Sequence, residues 1–466
     1  VDRNHIAEAA RIYAKANGAV IPWTPITDQQ ISSTSAIRLH SILRAVTGNL
    51  DVVGGETLGG FNPGYIPESE LALHDRLSNE QKAKQLGFDD HPVFTYRVAE
   101  ILKEPTNKVW GFPYADLVMG CHMANPTNVF RAMATGDPYQ IKALFVLGNN
   151  TLLSYANQHQ ILKALNNQEL IVAHEIFMTP TAMLADYVLP GDVFTERNHI
   201  ADSWSWTNRL TLSQKAVEPP VQASSTFEFW TDLGRRMGFA EHFPWDSLED
   251  LLDYRLSRSN RTFAQFEQTS YMEAPAPKFR KYRKTGFATP SGKVELYSSI
   301  LADLNFDPLP YYREGPSPDK KYPYLVFTGV REDPFFQTGQ RNISALRSRC
   351  PEPKLYMHPI DVSREGFEEG EWVNLETPSG KVSARISVQK SMKEGHVRVP
   401  HGWWYPETRF EAPLSGAFIS SDAVLCSDED EFLDYEQGVP HFKGFPGRVT
   451  KSSLPRALEN SAFIER

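Results

Sequence analysis

IKALFVLGNN, residues 141–150, sets the architecture of its half of the chain. Ala143, Leu144, Phe145, Val146 and Leu147 run without a polar break, as a strand covered on both faces does. The run stops at Gly148-Asn149-Asn150. Beyond it, QHQILKALNN (158–167) reads as a helix and ELIVAHE (169–175) as a second strand. TPTAMLA (179–185) reads as a short helix with Pro180 in its first turn, where a missing N–H costs nothing. DYVLPGD (186–192) is a third strand. This β-α-β-α-β order predicts a parallel sheet with right-handed crossovers. Ligands of such sheets bind outside the carboxyl ends of the strands. Here those ends are Gly148-Asn149-Asn150, His174-Glu175 and Gly191-Asp192. Gly148 allows close backbone approach, the two Asn side chains offer donors and acceptors, and Glu175 offers an acceptor for a ribose hydroxyl or a guanine edge. The same residue types also serve as turns and caps. A dinucleotide is the favoured ligand, and no GxGxxG marks it as NAD.

Outward from this core, the composition is that of a globular protein. The 466 residues are 41% hydrophobic and 23% charged, enough for about three domains. A net charge of −9 speaks against nucleic acid as a partner. No apolar run approaches the roughly 18–20 residues of a membrane span. Cys121, Cys350 and Cys426 are far apart and outside any CxxC, so neither a disulfide framework nor a Cys-rich metal site is expected. The Cys121-His122 pair reads as structural, since buried Cys is common. The opening VDRNHIAEAARIYAKANGA predicts an amphipathic helix through Ile6, Ala10, Tyr13 and Ala14. It reads as a start without a leader and is expected to be the middle of something larger. AVIPW (19–23) reads as a short strand, SAIRLHSILRAVTG (35–48) as a helix closed by Gly48, and 62–125 as irregular.

After about residue 287 the period changes. YPYLVFTGV (322–330) is a strand, and EGEWVNLETPSGKVSARISVQ (369–389) alternates as a hairpin around Pro378-Ser379-Gly380. Val373 and Leu375 share a face with Val382, Ala384, Ile386 and Val388. VRVPHGWW (397–404) is a strand ending in a rigid aromatic turn. This half reads as a β-rich, barrel-like domain. TPSGKV occurs at 289–294 and 377–382, which turn chemistry alone explains.

Several of these stretches resemble the molybdopterin enzymes of the dimethyl sulfoxide reductase superfamily. They are FMTPTAMLADYVLPGDVFTER (177–197), FATPSGKVELYSS (287–299), YPYLVFTGVRED (322–333), EGEWVNLETPSGKV (369–382) and VRVPHGWW. Within it the acetylene hydratase branch is most similar, through IPW, MANPTNVFRAMAT, DPLPYY and DYEQG. The resemblance runs from Val1 to about residue 450. It implies an α/β fold: incomplete doubly wound domains followed by a C-terminal double-psi β-barrel. The expected segments are 1–57, the end of an α/β domain; 58–122, a connector; 123–285, a half-domain for one guanine dinucleotide; and 286–466, the barrel.

The implied cofactor is bis-molybdopterin guanine dinucleotide carrying molybdenum or tungsten. Gly148, Asn149, Asn150, Glu175, Thr179 and Asp186 match positions for one dinucleotide. Gly329, Arg331, Gln337, His401, Gly402 and Trp403 match the pieces that close over the pterins. Arg331 is placed nearest the metal, where its fork of donors suits an oxo group or a pterin carbonyl. Trp23 matches an aromatic of the substrate funnel, against a plain core tryptophan. No residue of the chain matches a metal ligand. The iron–sulfur (4Fe–4S) motif, the ligand and the acid–base aspartate of the hydratase would belong to a missing N-terminal half, without which the chain is expected to be inactive and prone to aggregate. The implied reaction is hydration of acetylene to acetaldehyde by a metal-bound water. The alternatives are a redox enzyme (oxygen-atom transfer or aromatic dehydroxylation, with an electron-transfer subunit) or an inactive cofactor-binding fragment. The location implied is cytoplasmic, and the substrate a small molecule.

Overall fold

The computed structural model describes residues 1–58, 64–110, 123–201, 209–269, 271–272, 278–408, 412–459 and 463. Cys121 and His122 lie outside them. The chain forms two units, each built from separate stretches. One contains Val1–Thr27, Thr34–Asn125 and Gly191–Tyr312; the other contains Asp28–Ser33, Pro126–Pro190 and Arg313–Arg466.

Twelve strands are seen among the described residues. In chain order the first six are β1 (Ala143–Leu147), β2 (Leu170–Glu175), β3 (Tyr187–Pro190), β4 (His199–Ala201), β5 (Leu210–Ser213) and β6 (Tyr271–Met272). They are followed by β7 (Tyr324–Val330), β8 (Lys354–Met357), β9 (Trp372–Glu376), β10 (Lys381–Val388), β11 (His396–Pro400) and β12 (Lys443–Lys451).

In the second unit β1, β2 and β3 form the expected parallel sheet, with Ala143 opposite Leu170 and Val172 opposite Tyr187. The helix Gln158–Asn166 joins β1 to β2; Asn157 caps it, its side-chain oxygen accepting from the Gln160 N–H at 3.2 Å. Ile161, Ala164 and Leu165 stand on one face of that helix, as i, i+3, i+4 spacing requires. They pack with Phe130 and Met133 of the helix Pro126–Thr135, and with Val146 and Ile171 of the sheet. The segment read as a helix over 179–185 is a single 3-10 turn, Ala182–Leu184.

The barrel closes in the order β10-β8-β11-β7-β12-β9. Its hairpin is antiparallel with Val382 opposite Leu375 and Ala384 opposite Val373. The turn is closed by the Thr377 N–H donating to the Gly380 carbonyl at 2.8 Å. Val326, Leu355, Val373, Leu375, Val382, Ala384, Ile386 and Val397 fill the interior, and each Val, Leu or Ile among them contributes roughly 1.5–3 kcal/mol by leaving water. Val388, expected on that face, is exposed at the strand end.

The barrel and the parallel sheet share one unit and touch directly. The Asn157 N–H donates to the Cys426 carbonyl at 3.0 Å. Thr127 Oγ1 donates to the Gly438 carbonyl at 2.9 Å, and Trp404 of the barrel turn belongs to the same core as Leu152 and Leu153.

The first unit is mainly helical, with β4, β5 and β6 forming a small antiparallel sheet. Its helices include Ser33–Val46, Thr226–Arg236 and Leu248–Leu256, close to their expected positions. Other expectations there are met unevenly. The helix Arg3–Lys15 forms but buries no residue, and Ile6 is 58% exposed. AVIPW (19–23) forms no strand. The stretch 62–125, read as irregular, holds the helix Tyr96–Trp110, with Val98, Ala99 and Leu102 buried despite Pro105 within it. Among the described residues no helix is long and apolar enough to cross a membrane.

Candidate cofactor site

β1 ends because Gly148 turns left-handed (φ +58°), with its N–H donating to the His174 carbonyl at 3.0 Å. A Cβ there would meet nothing within 4 Å, so the backbone stands open at the sheet edge. Asn149 is exposed and accepts from Thr151 Oγ1 at 3.2 Å. Asn150 is buried. Its Oδ1 accepts from the Thr181 hydroxyl at 2.8 Å and the Thr181 N–H at 3.3 Å, while its Nδ2 is buried without a hydrogen-bond partner. A buried, unpaired amide donor is costly unless something absent from the polypeptide accepts from it.

Glu175 is half-buried at the end of β2. Burial pushes its carboxyl above the usual range, against the opposing pull of the Ile176 and Phe177 N–H groups. Thr179 is buried nearby in sequence, its Oγ1 accepting from the Ala182 N–H at 3.2 Å. Asp186 departs from the expectation. It is exposed at the opposite, amino end of the sheet, where Oδ2 accepts from the Ile171 N–H at 2.7 Å. There it ties the start of β3 to the start of β2, and the sheet does not bring it to Asn150 and Glu175.

On the barrel, the loop after β7 and the turn after β11 are drawn together. The His401 N–H donates to the Val330 carbonyl at 2.9 Å. Gly329 (φ +67°) and Gly402 (φ +60°) are both left-handed. Gln337 is left-handed too (φ +52°), and its carbonyl accepts from Arg341. Arg331 is exposed, its guanidinium 4.3 Å from the centre of the Phe336 ring. Trp403 is a second departure: it is 0% exposed, packed among Phe335, Arg341, Arg347 and Tyr405. A side chain so enclosed supports the turn from inside and does not touch a ligand.

Two residues that the sequence did not single out hold these loops. Asp422 is 1% exposed. It accepts from the Gly329 N–H at 2.8 Å, the Gly402 N–H at 2.7 Å and His401 Nδ1 at 3.1 Å. Burial works against its ionisation, but His401 and the two backbone donors outweigh burial and hold the carboxyl below the ordinary Asp range. The stabilisation from a depressed carboxyl is complete above the unfolded value of about 3.9 and is lost as pH falls through the folded value. Asp422→Asn should therefore cost more stability at about pH 7 than at about pH 3, read from urea midpoints. An equal cost at both would mean that folding leaves the ionisation of this carboxyl unshifted. Arg341, the other residue, is also buried and bonds the Gln337 and His401 carbonyls.

The sheet edge and the barrel loops meet beside Asn150. Asn150 leads into the helix Thr151–Ser154, which packs on the turn Asp422–Leu425. The open Gly148, the unpaired Asn150 donor and the Asp422-held loops thus belong to neighbouring elements of one unit. Trp23 lies in the other unit and is 52% exposed, so it is not a core tryptophan.

A sheet edge offering a buried, unpaired amide donor, beside a barrel with two glycine bends, is the equipment of a protein that grips a large polar cofactor. Residues 39–236 match the molybdopterin oxidoreductase family and residues 325–429 the molydopterin dinucleotide-binding domain. The chain belongs to the molybdopterin oxidoreductases, and its cofactor is a molybdopterin. It is 41% identical to acetylene hydratase of Syntrophotalea acetylenica over 452 residues, 95% of this chain and 62% of that protein. The solved acetylene hydratase from Pelobacter acetylenicus superposes with a TM-score of 0.92 at 40% identity, over 97% of this chain and 63% of that one. Redox enzymes are related at greater distance. Dopamine dehydroxylase of Eggerthella lenta is 24% identical over 93% of this chain and 48% of that protein. Formate dehydrogenase H of Escherichia coli is 25% identical over 87% and 54%. The chain spans about half to three-fifths of these relatives' lengths.

Proposed function

We propose that the chain is the cofactor-binding part of a molybdenum or tungsten enzyme that holds paired molybdopterin guanine dinucleotides and hydrates acetylene to acetaldehyde. The observation that carries this reading is the 41% identity to acetylene hydratase across 95% of the chain. When bound, the pterin–metal group supplies Lewis acidity to activate water. The chain's own residues bind and orient it. The open backbone at Gly148 admits the dinucleotide, Asn149 and Asn150 donate to its acceptors, and Glu175 and Thr179 accept from its hydroxyl and amino groups. On the barrel side, Gly329, Arg331, Gln337, His401 and Gly402 close over the pterins, with the exposed Arg331 fork available to their polar edges. The resemblance assigns Trp23 to the substrate funnel. The resemblance assigns the iron–sulfur cluster, the amino-acid ligand and the acid–base aspartate to the share of the relatives that this chain does not span.

The test is acetaldehyde formation from acetylene by anaerobically purified protein as its source makes it, with no electron donor present. Product under those conditions supports hydration. Turnover that appears only when electrons are supplied or withdrawn favours the redox reading, which the dehydroxylase and formate dehydrogenase relatives support. Pterin and metal analysis without turnover would leave a binding module.

Asn150 provides a sharper test of the site. Asn150→Ala and Thr181→Ala both break the bond between these two side chains, and each should cost about 1–2 kcal/mol. Only Asn150→Ala also removes the unpaired Nδ2. Pterin content should therefore fall in Asn150→Ala and hold in Thr181→Ala, measured by fluorescence of the oxidised pterin per protein. Equal content in both variants would mean that Asn150 is purely structural.

A further inference from the structure

Two buried charges span the same two loops from opposite chemical sides. Arg341 is 1% exposed; its Nη1 donates to the Gln337 carbonyl and its Nη2 to the His401 carbonyl, both at 2.7 Å. Asp422 accepts from the N–H of Gly329, near the end of β7, and of Gly402, in the turn after β11. One residue thus satisfies carbonyls of the loop and the turn, and the other satisfies amides of the strand end and the turn. Neither is accessible, so neither touches a ligand. A neutral, apolar filling would suit stability alone, since each buried charge is costly. A rigid guanidinium fork and a two-oxygen carboxylate instead fix distances between the groups that they join.

We propose that Arg341 and Asp422 are positioning residues that set the gap between the loop after β7 and the turn after β11, and so the grip on the pterins. This rests on the reading of the site given above. Asp422 has a second effect. An anionic acceptor at Nδ1 selects the His401 tautomer protonated there and leaves Nε2 as the ring's free polar atom. Burial first, and the neighbouring Arg347 second, push Arg341 down to about 9. A guanidinium kept in so unfavourable a place is consistent with a geometric duty.

Arg347 supplies the control. It is 0% exposed and lies over the Trp403 ring at 4.8 Å, as Arg341 does at 5.1 Å. Its ion pair is with Glu407 at 3.1 Å rather than with either loop. The experiment compares Arg341→Met, Arg341→Lys, Asp422→Asn and Arg347→Met in the holoenzyme, reading pterin per protein and melting temperature. Amide hydrogen exchange at Gly329 and Gly402 is read on protein stripped of cofactor. The expected result is at least a fivefold loss of pterin in Arg341→Met and Asp422→Asn, with partial rescue in Arg341→Lys. Arg347→Met should melt lower yet keep its pterin. Exchange at the two glycines should accelerate at least tenfold in Asp422→Asn and stay unchanged in Arg347→Met. Pterin loss that merely follows melting temperature across all four variants overturns the proposal, as does full retention in Arg341→Met and Asp422→Asn. Should a Met variant fail to fold, Arg341→Lys and Asp422→Asn, which preserve size and polarity, carry the same comparison. Wild-type protein without pterin would instead remove the reading of the site itself, and the proposal with it.

Discussion

Trp403→Ala is expected to lower the free energy of unfolding by about 3–5 kcal/mol, as truncation of a fully buried tryptophan does. The ring has no exposed surface, meets Phe335 edge-on at 5.7 Å and carries two guanidiniums over it, Arg341 at 5.1 Å and Arg347 at 4.8 Å. Desolvated cation–π contacts are worth about 2 kcal/mol or more, and two are lost together with the packing. Arg347 keeps its carboxylate partner Glu407, whereas Arg341 is bonded to the Gln337 and His401 carbonyls. Trp403→Phe preserves a smaller aromatic face and should recover part of the loss. Urea unfolding followed by tyrosine and near-UV signals measures both. An alanine variant that unfolds like the wild type but has lost its pterin would restore Trp403 to the ligand face, against its burial.

Trp403 also shows where sequence reading stops. The alternation in VNLE and KVSARISV told which residues enter the barrel, because a strand has only two faces and a buried face is apolar. A turn such as His401-Gly402-Trp403-Trp404 has no period. Nothing local distinguishes a tryptophan turned inward from one turned toward a ligand. The parallel sheet was legible for the same reason as the hairpin: β1 and β2 are continuous apolar runs separated by a helix of recognisable spacing. Asp186 entered the expected site through the resemblance alone; it precedes β3 and so stands at the amino end of the sheet, away from Asn150 and Glu175. Asp422 and Arg341 left no local trace at all. Asp422 bonds to backbone 93 and 20 residues away, and Arg341 to backbone 60 residues away. Such partners exist only once the barrel has closed. In the other unit, Pro105 hid the helix Tyr96–Trp110, since an internal proline reads as a breaker. The stripe on Arg3–Lys15 was real as a helix signal and uninformative about burial.

Gly402→Ala should be nearly as damaging, by two separable terms. The residue is left-handed at φ +60°, which costs an L-residue about 1–2 kcal/mol. An alanine Cβ would also stand 2.4 Å from Thr338 Cγ2 and 3.2 Å from Thr338 Cβ, an overpacking worth about 1–3 kcal/mol. The sum is about 2–5 kcal/mol if the terms add. Gly148→Ala isolates the first term. Its φ is +58°, but an added Cβ meets nothing within 4 Å, so its stability cost should stay at about 1–2 kcal/mol. Thr338→Ser isolates the second, because it removes the methyl and leaves the hydroxyl and the backbone. The double variant Gly402→Ala with Thr338→Ser should regain the steric part and keep the conformational part. Strain passed from this turn reaches three linked groups, since the Gly402 N–H bonds Asp422, and Asp422 bonds Gly329 and His401. Pterin content should therefore fall with Gly402→Ala and return in step with the double variant's stability. Recovery of stability without recovery of pterin would place the fault in the left-handed backbone itself, and no recovery of either would show that Thr338 is not what the new methyl strikes.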